Sequence, residues 1–217
     1  MKKHISTIAM RGDRGQAMVK EKEEKEIFIV LTQTGTILSR ILKAITNAKY
    51  NHSSISLERD LSCMYSFGRL FPYNPCIGGF VKESITWGTF KRFYNTEATV
   101  LRVYVSDEKY EEMKTYLAEM YDNKKQYRYN YIALFLALFG ITFRQKRCYY
   151  CSEFVRDFLI RFDVVPKTYL PSIVKPIDFF KISWSQKVYT GKLRDYKKPI
   201  SQKKMLPKCK NKALLEA

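Results

Sequence analysis

A mixed α/β (α+β) domain is what the sequence prescribes, and three observations carry that reading. Residues 27–31 form a short apolar run rich in β-branched side chains, as in a strand buried on both faces. Residues 98–106 alternate, Val100, Arg102, Tyr104 and Ser106 against Leu101, Val103 and Val105, which is the period of a strand. Between and after them, Tyr110, Met113, Leu117 and Met120, then Phe154, Val155, Phe158, Leu159 and Phe162, recur at the spacing of one helical face.

The elements follow in order. Thr36 is placed to cap a helix striped by Ile37, Leu38, Ile41, Leu42 and Ile45. Residues 51–58 read as a strand with Ile55 and Leu57 on a core face and His52, Ser54 and Ser56 on a polar one. Residues 58–61 supply a turn, and residues 62–69 return as the second strand of a hairpin. Pro72, Pro75, Gly78 and Gly79 mark an irregular loop before a further strand over 80–85. Asp107 is a natural cap for a helix over 108–124, and a second helix over 130–139 stops at Gly140. Beyond Phe162, Pro166, Pro171 and Pro176 impose an irregular path, and residues 185–191 form a last strand.

The chain of 217 residues, 46% hydrophobic, is long enough for a full core. We divide it into a polar arm over 1–26, a domain over 27–191 and a basic tail over 192–217. Five cysteines, an odd number, and no apolar stretch after Met1 predict a reduced, cytoplasmic protein. The most apolar run, 131–141, is shorter than the roughly 20 residues a membrane span needs, so it reads as a buried or interfacial helix. Net charge is +18, but the tail alone holds nine Lys/Arg against two acids, a net +7. With no nucleic-acid-binding motif beside it, this charge suits a solvated tail or contact with an anionic surface rather than specific nucleic-acid readout.

Chemistry concentrates at Cys151. It opens the helix marked by Phe154 and Val155, where unpaired backbone N–H groups and the helix dipole stabilise a thiolate and can receive a developing oxyanion. A cysteine in such a place is, taken alone, as readily a small core residue. Only two histidines exist, and His52 is the one within the predicted domain, so it is the candidate base. A third group usually orients the imidazole. Glu58, six residues along the same strand, lies about 20 Å away and cannot do so. With the turn centred on Asp60, Ser66 and Gly68 face the same side as His52, and Ser66 is the candidate, with Tyr65 pointing away.

Taken together, a strand bearing Asn51, His52, Ser53, Ser54 and Ile55, a hairpin partner bearing Tyr65, Ser66 and Gly68, and a later Tyr150, Cys151, Ser152, Glu153, Phe154 and Val155 resemble the permuted papain-like amidases. These form the YiiX-like branch of the NlpC-type cysteine peptidase superfamily, in which the histidine strand precedes the cysteine helix, as here. The resemblance spans residues 27–165. It implies a papain-like fold, circularly permuted, with an antiparallel sheet or partial barrel packed against helices. It also implies a Cys151 thiolate that attacks a carbonyl, His52 as base and then acid, and an acyl-enzyme resolved by water or another acceptor. No cofactor is implied, and the substrate would be a peptide, amide or acyl ester. The family often uses a carboxylate as third group; at the matching place this sequence offers Ser66. Glu153 reads as an acid in a helix first turn, where the dipole favours it.

Other readings compete. Cys148 and Cys151 have the CxxC spacing of a dithiol oxidoreductase, with Arg144, Lys146 and Arg147 to lower a thiol pKa, although a helix and a basic loop precede Cys148 where a thioredoxin-like site wants a strand. Cys63 and Cys76 could join them as zinc ligands, but the short knuckles of a structural zinc site are missing. A non-catalytic basic binding module would leave Cys151 and His52 as packing residues.

Overall fold

In the computed structural model, the structure describes residues 24–34, 48–71 and 74–196, with residues 74–76 described as backbone only. The helix expected from Thr36, most of the polar arm and the tail beyond 196 lie outside the described residues.

The architecture is mixed α/β, with helices packed on a six-stranded antiparallel sheet. Strand β1 (Glu24–Gln33) is flanked by β2 (His52–Ser56) and β5 (Glu97–Ser106), β3 (Met64–Phe71) and β4 (Asn74–Glu83) extend one side, and β8 (Gln186–Lys192) closes the other, in the order β4-β3-β2-β1-β5-β8. A separate parallel pair joins β6 (Arg128–Tyr129) to β7 (Cys148–Tyr149). The helices are α1 (Gly88–Arg92), α2 (Asp107–Asp122), α3 (Tyr131–Ala137) and α4 (Cys151–Arg161).

Strand β1 is central, and its 27–31 run is buried on both faces as its composition demands. Ile27, Ile29 and Leu31 enter the larger core with α2 and α4, whereas Phe28 and Val30 enter a smaller one with Leu61, Met64, Phe90, Val100 and Leu193. The second cluster seals the face of β2 that carries Ser54 and Ser56, the face the sequence marks as polar. Those hydroxyls survive burial because each is bonded, Ser54 to a carboxylate and Ser56 to the carbonyls of Glu58 and Cys63.

Several boundaries move for local reasons. Strand β1 begins at Glu24, inside the charge run, because Glu26 is held there by Arg102 at 2.8 Å across the ladder. Helix α2 is capped by Ser106, whose Oγ accepts from the Lys109 N–H, so Asp107 becomes its first residue. The domain continues past 191, with Leu193 buried and the Tyr196 hydroxyl donating to the Arg59 carbonyl.

What sets the site is the way α4 lies across β2 and β3. Phe154, Val155, Phe158 and Leu159 are buried, each worth about 1.5–3 kcal/mol relative to exposure. They fix the helix in rotation, and so aim its first residue. The Ser152 hydroxyl ties that end to the Val174 carbonyl at 2.8 Å.

Candidate active site

Cys151 is the first residue of α4, after Tyr150 in extended backbone. The residue is 4% exposed, and its Sγ lies 3.9 Å from the carbonyl oxygen of Asn51, which immediately precedes β2. The first residue of that strand is His52, and the helix start and the strand start place the two side chains close enough for each to shift the other's pKa.

On the other side of the imidazole stands Glu83, the last residue of β4. Its two carboxylate oxygens lie 3.1 and 3.0 Å from His52 Nε2. Ser54 Oγ donates to the same carboxylate at 2.7 Å and lies 3.3 Å from the ring nitrogen. With Nε2 engaged by Glu83, Nδ1 is the nitrogen left for the thiol. The ring of Phe90 on α1 is tilted against the imidazole, its centroid 6.4 Å from that of His52.

The orienting group is therefore Glu83 and not Ser66. Ser66 does share the sheet face of His52, but its Oγ donates to the Ser53 carbonyl at 2.6 Å and is spent on backbone. The carboxylate can reach across because β3 presents Gly68 between the two. A Cβ there would sit 3.5 Å from Glu83 Oε1 and 3.8 Å from His52 Cε1, so any larger side chain would fill the gap.

The electrostatics favour an ion pair. Burial of the imidazole opposes its charged form, but the Glu83 carboxylate and the hydrogen-bonded Cys151 sulfur outweigh it and raise the His52 pKa from 6.5 to about 10. Burial likewise opposes a thiolate at Cys151. The His52 ring, together with the backbone N–H groups of Ser53 and Ser152, overcomes it and holds the thiol below its usual range.

Tyr129 completes the site from β6. Burial and the charge of the adjacent Cys151 sulfur push its pKa well above the usual phenol range, so it keeps its proton and can donate it to the sulfur or to an oxygen beside it. Strand β6 comes this close because Gly78 has no side chain: a Cβ at that position would meet Tyr129 Cβ at 2.6 Å.

Cys148 sits in β7, three residues before Cys151, and is buried. The strand after α4 is β8, antiparallel to β5 at the far edge of the sheet, so no βαβ unit encloses the CxxC. Among the described residues, no group of three or more His, Cys, Asp or Glu side chains is placed to hold a metal ion; the Cys76 side chain lies outside them. No described helix is long and apolar enough to cross a membrane.

Glu83, Ser54 and Tyr129 were not singled out in the sequence. A signal for Glu83 existed, since it follows the apolar Phe80 and Val81 at strand period and ends the third strand of a meander whose first strand holds His52. Tyr129 carried none.

No family model matches this chain, and neither a curated protein nor a solved structure does so.

Proposed function

We propose that this protein is a cysteine hydrolase or acyltransferase that cleaves an amide or ester bond through an acyl-enzyme. The observation that carries the reading is the single imidazole of His52 engaged by the Cys151 thiol and by the Glu83 carboxylate. Such a line of nucleophile, base and orienting acid is the recurrent arrangement of nucleophilic catalysis.

In this mechanism the Cys151 thiolate attacks the acyl carbon, forming a C–S bond, and the carbonyl electrons move to its oxygen. The helix N-terminus and the Tyr129 hydroxyl receive that oxyanion. Collapse of the intermediate expels the amine or alcohol, which takes the proton held by the His52 imidazolium. Water, or another acceptor, then attacks the thioester while His52 takes its proton, and the acid is released with the thiolate restored. The Glu83 carboxylate, bonded to Nε2, holds the ring in its orientation throughout.

The fold reading that accompanies this is the circularly permuted papain-like, NlpC-type one. It is supported by a cysteine at the start of a helix packed on an antiparallel sheet, with histidine and carboxylate supplied by earlier strands of that sheet. Glu83 also supplies the carboxylate that the family often uses, so the chain fits the pattern better than Ser66 allowed.

Screening the full chain against peptide amides, acyl esters and cell-wall fragments tests the reading. Turnover that disappears in Cys151→Ala and His52→Ala and persists in Cys148→Ala is the expected result. Activity needing both Cys148 and Cys151 would assign the site to dithiol chemistry instead.

A further inference from the structure

Outside the site, the most unusual surface is the segment 131–143. Ile132, Phe135, Phe139, Ile141 and Phe143 are exposed by 60, 60, 67, 52 and 39%, and α3 buries only Ala133. Folded chains rarely leave so many large apolar side chains in one short stretch without using them. The Phe135 and Phe139 rings contact each other edge-on at 5.2 Å, forming one outward ridge. The neighbouring β3–β4 hairpin also leaves Leu70 and Ile77 45% exposed, and its Gly78 lies against Tyr129 and Tyr131, just before and at the start of α3.

The segment that carries this ridge holds charge of one sign, although Arg144 is paired with Asp157 at 2.8 Å and so is not free to face a partner. Lys124, Lys125 and Arg128 precede it, Arg144, Lys146 and Arg147 follow it, and no Asp or Glu occurs from 123 to 150. Apolar side chains bracketed by cations are what an interfacial helix offers to a bilayer: the former enter the headgroup boundary while the latter reach lipid phosphates. A second copy of this chain fits less well, because a two-fold contact through the ridge would set these cations against their own equivalents.

We propose that the α3 surface docks this protein on an anionic membrane, with Ile132, Phe135 and Phe139 inserted at the headgroup boundary and Arg128, Lys146 and Arg147 facing lipid phosphates. Docking there would hold the candidate site at the bilayer, since Tyr129 is two residues before α3. That consequence, unlike the docking itself, rests on the hydrolase reading.

The test is sedimentation of the full chain with phosphatidylcholine vesicles that contain or lack phosphatidylserine. Binding to the anionic vesicles is expected, and the double variant Phe135→Ser/Phe139→Ser should lower partitioning about ten-fold or more, while Val188→Ser, at an exposed apolar site on β8, leaves it unchanged. In Phe135→Trp, the added fluorescence should be quenched by lipids brominated on their acyl chains. Equal binding by wild type and the double serine variant would assign the attraction to net charge alone and overturn the proposal. So would a dimer seen by light scattering and lost in that variant, with no vesicle binding. Alkylation of Cys151 in the same samples reports on the catalytic reading independently, so the two can fail separately.

Discussion

Both carboxylate oxygens of Glu83 lie within 3.1 Å of one nitrogen of His52, and a hydrogen bond from Ser54 holds them there. The geometry fixes the ring's rotation and its charge together, because a carboxylate so placed favours the imidazolium. Glu83→Gln should keep the shape and lose the charge. The His52 pKa would fall, and with it the thiolate fraction of Cys151 in mildly acidic solution. We expect alkylation of Cys151 by iodoacetamide to slow about ten-fold near pH 6, one pKa unit's worth, and much less near pH 9. An unchanged rate at pH 6 would remove Glu83 from the site.

The pH window of the pair follows from the directions of its two shifts. Cys151 is held low, so the thiolate is lost as pH falls through that lowered value. His52 is raised to about 10, so the imidazolium is lost as pH rises through about 10. The stability His52 gives the fold is therefore fully present below its ordinary 6.5 and disappears as pH climbs through about 10. Hydrolysis should be bell-shaped between these limits, with the alkaline limb near 10. In His52→Ala, where burial is no longer offset by the imidazole, labelling of Cys151 should shift to the pH of an ordinary thiol, about 8.5, or above. Identical labelling profiles for this variant and wild type would contradict the ion pair.

Gly68 is a steric prediction. A single methyl group meets only ordinary contacts, 3.4 Å to Val81 Cγ2 and 3.5 Å to Glu83 Oε1. Gly68→Ala should thus label and fold like wild type, or gain slightly from the better strand former. Gly68→Leu must drive the Glu83 carboxylate from the ring. It should reproduce the slow acid-side labelling of Glu83→Gln while circular dichroism stays native; wild-type labelling in this variant would mean that the gap is not needed.

What the sequence conveyed, and what it withheld, divides along physical lines. Strand β1 and helix α4 were legible because their apolar periods are strong and local. The register of β2 on β3 was legible too: Ile55 pairs with Tyr65, as a turn centred on Asp60 requires. The burial of Ser54 and Ser56 was hidden, since polar residues at strand period look solvated until the bonds that satisfy them are seen. Glu83 escaped because its role needs a third strand and a missing side chain at Gly68, a relation between distant residues that no local period encodes. Tyr129 enters from a two-residue strand, too short to leave a pattern.

Tyr129 gives a prediction that separates turnover from reactivity. Its hydroxyl serves the sulfur in the resting site, but in the proposed reaction it serves the developing oxyanion, where one donor is worth a factor of about 100 to 1,000. Tyr129→Phe should therefore reduce hydrolysis by at least about ten-fold more than it reduces alkylation of Cys151. Equal losses in both would confine the hydroxyl to the thiol.

Glu153 supplies a test in stability. It lies in the first turn of α4, 3% exposed, with Oε2 unpartnered and Oε1 3.8 Å from Arg144 Nε. The helix dipole favours its carboxylate, but burial, with the nearby Asp157, wins over Arg144 and raises its pKa to about 7. An acid whose folded pKa exceeds its unfolded one binds extra protons in the native state, so stability falls as pH rises from about 4.5 to about 7 and stays reduced above that. Glu153→Gln removes the charge and keeps a polar side chain of similar shape. It should stabilise the protein by about 1–3 kcal/mol at pH 8 and by clearly less at pH 5, as read by urea unfolding at the two pH values. A gain that is equal at both would assign the effect to packing, and a loss at pH 8 would show that the ionised carboxylate is held by its surroundings after all.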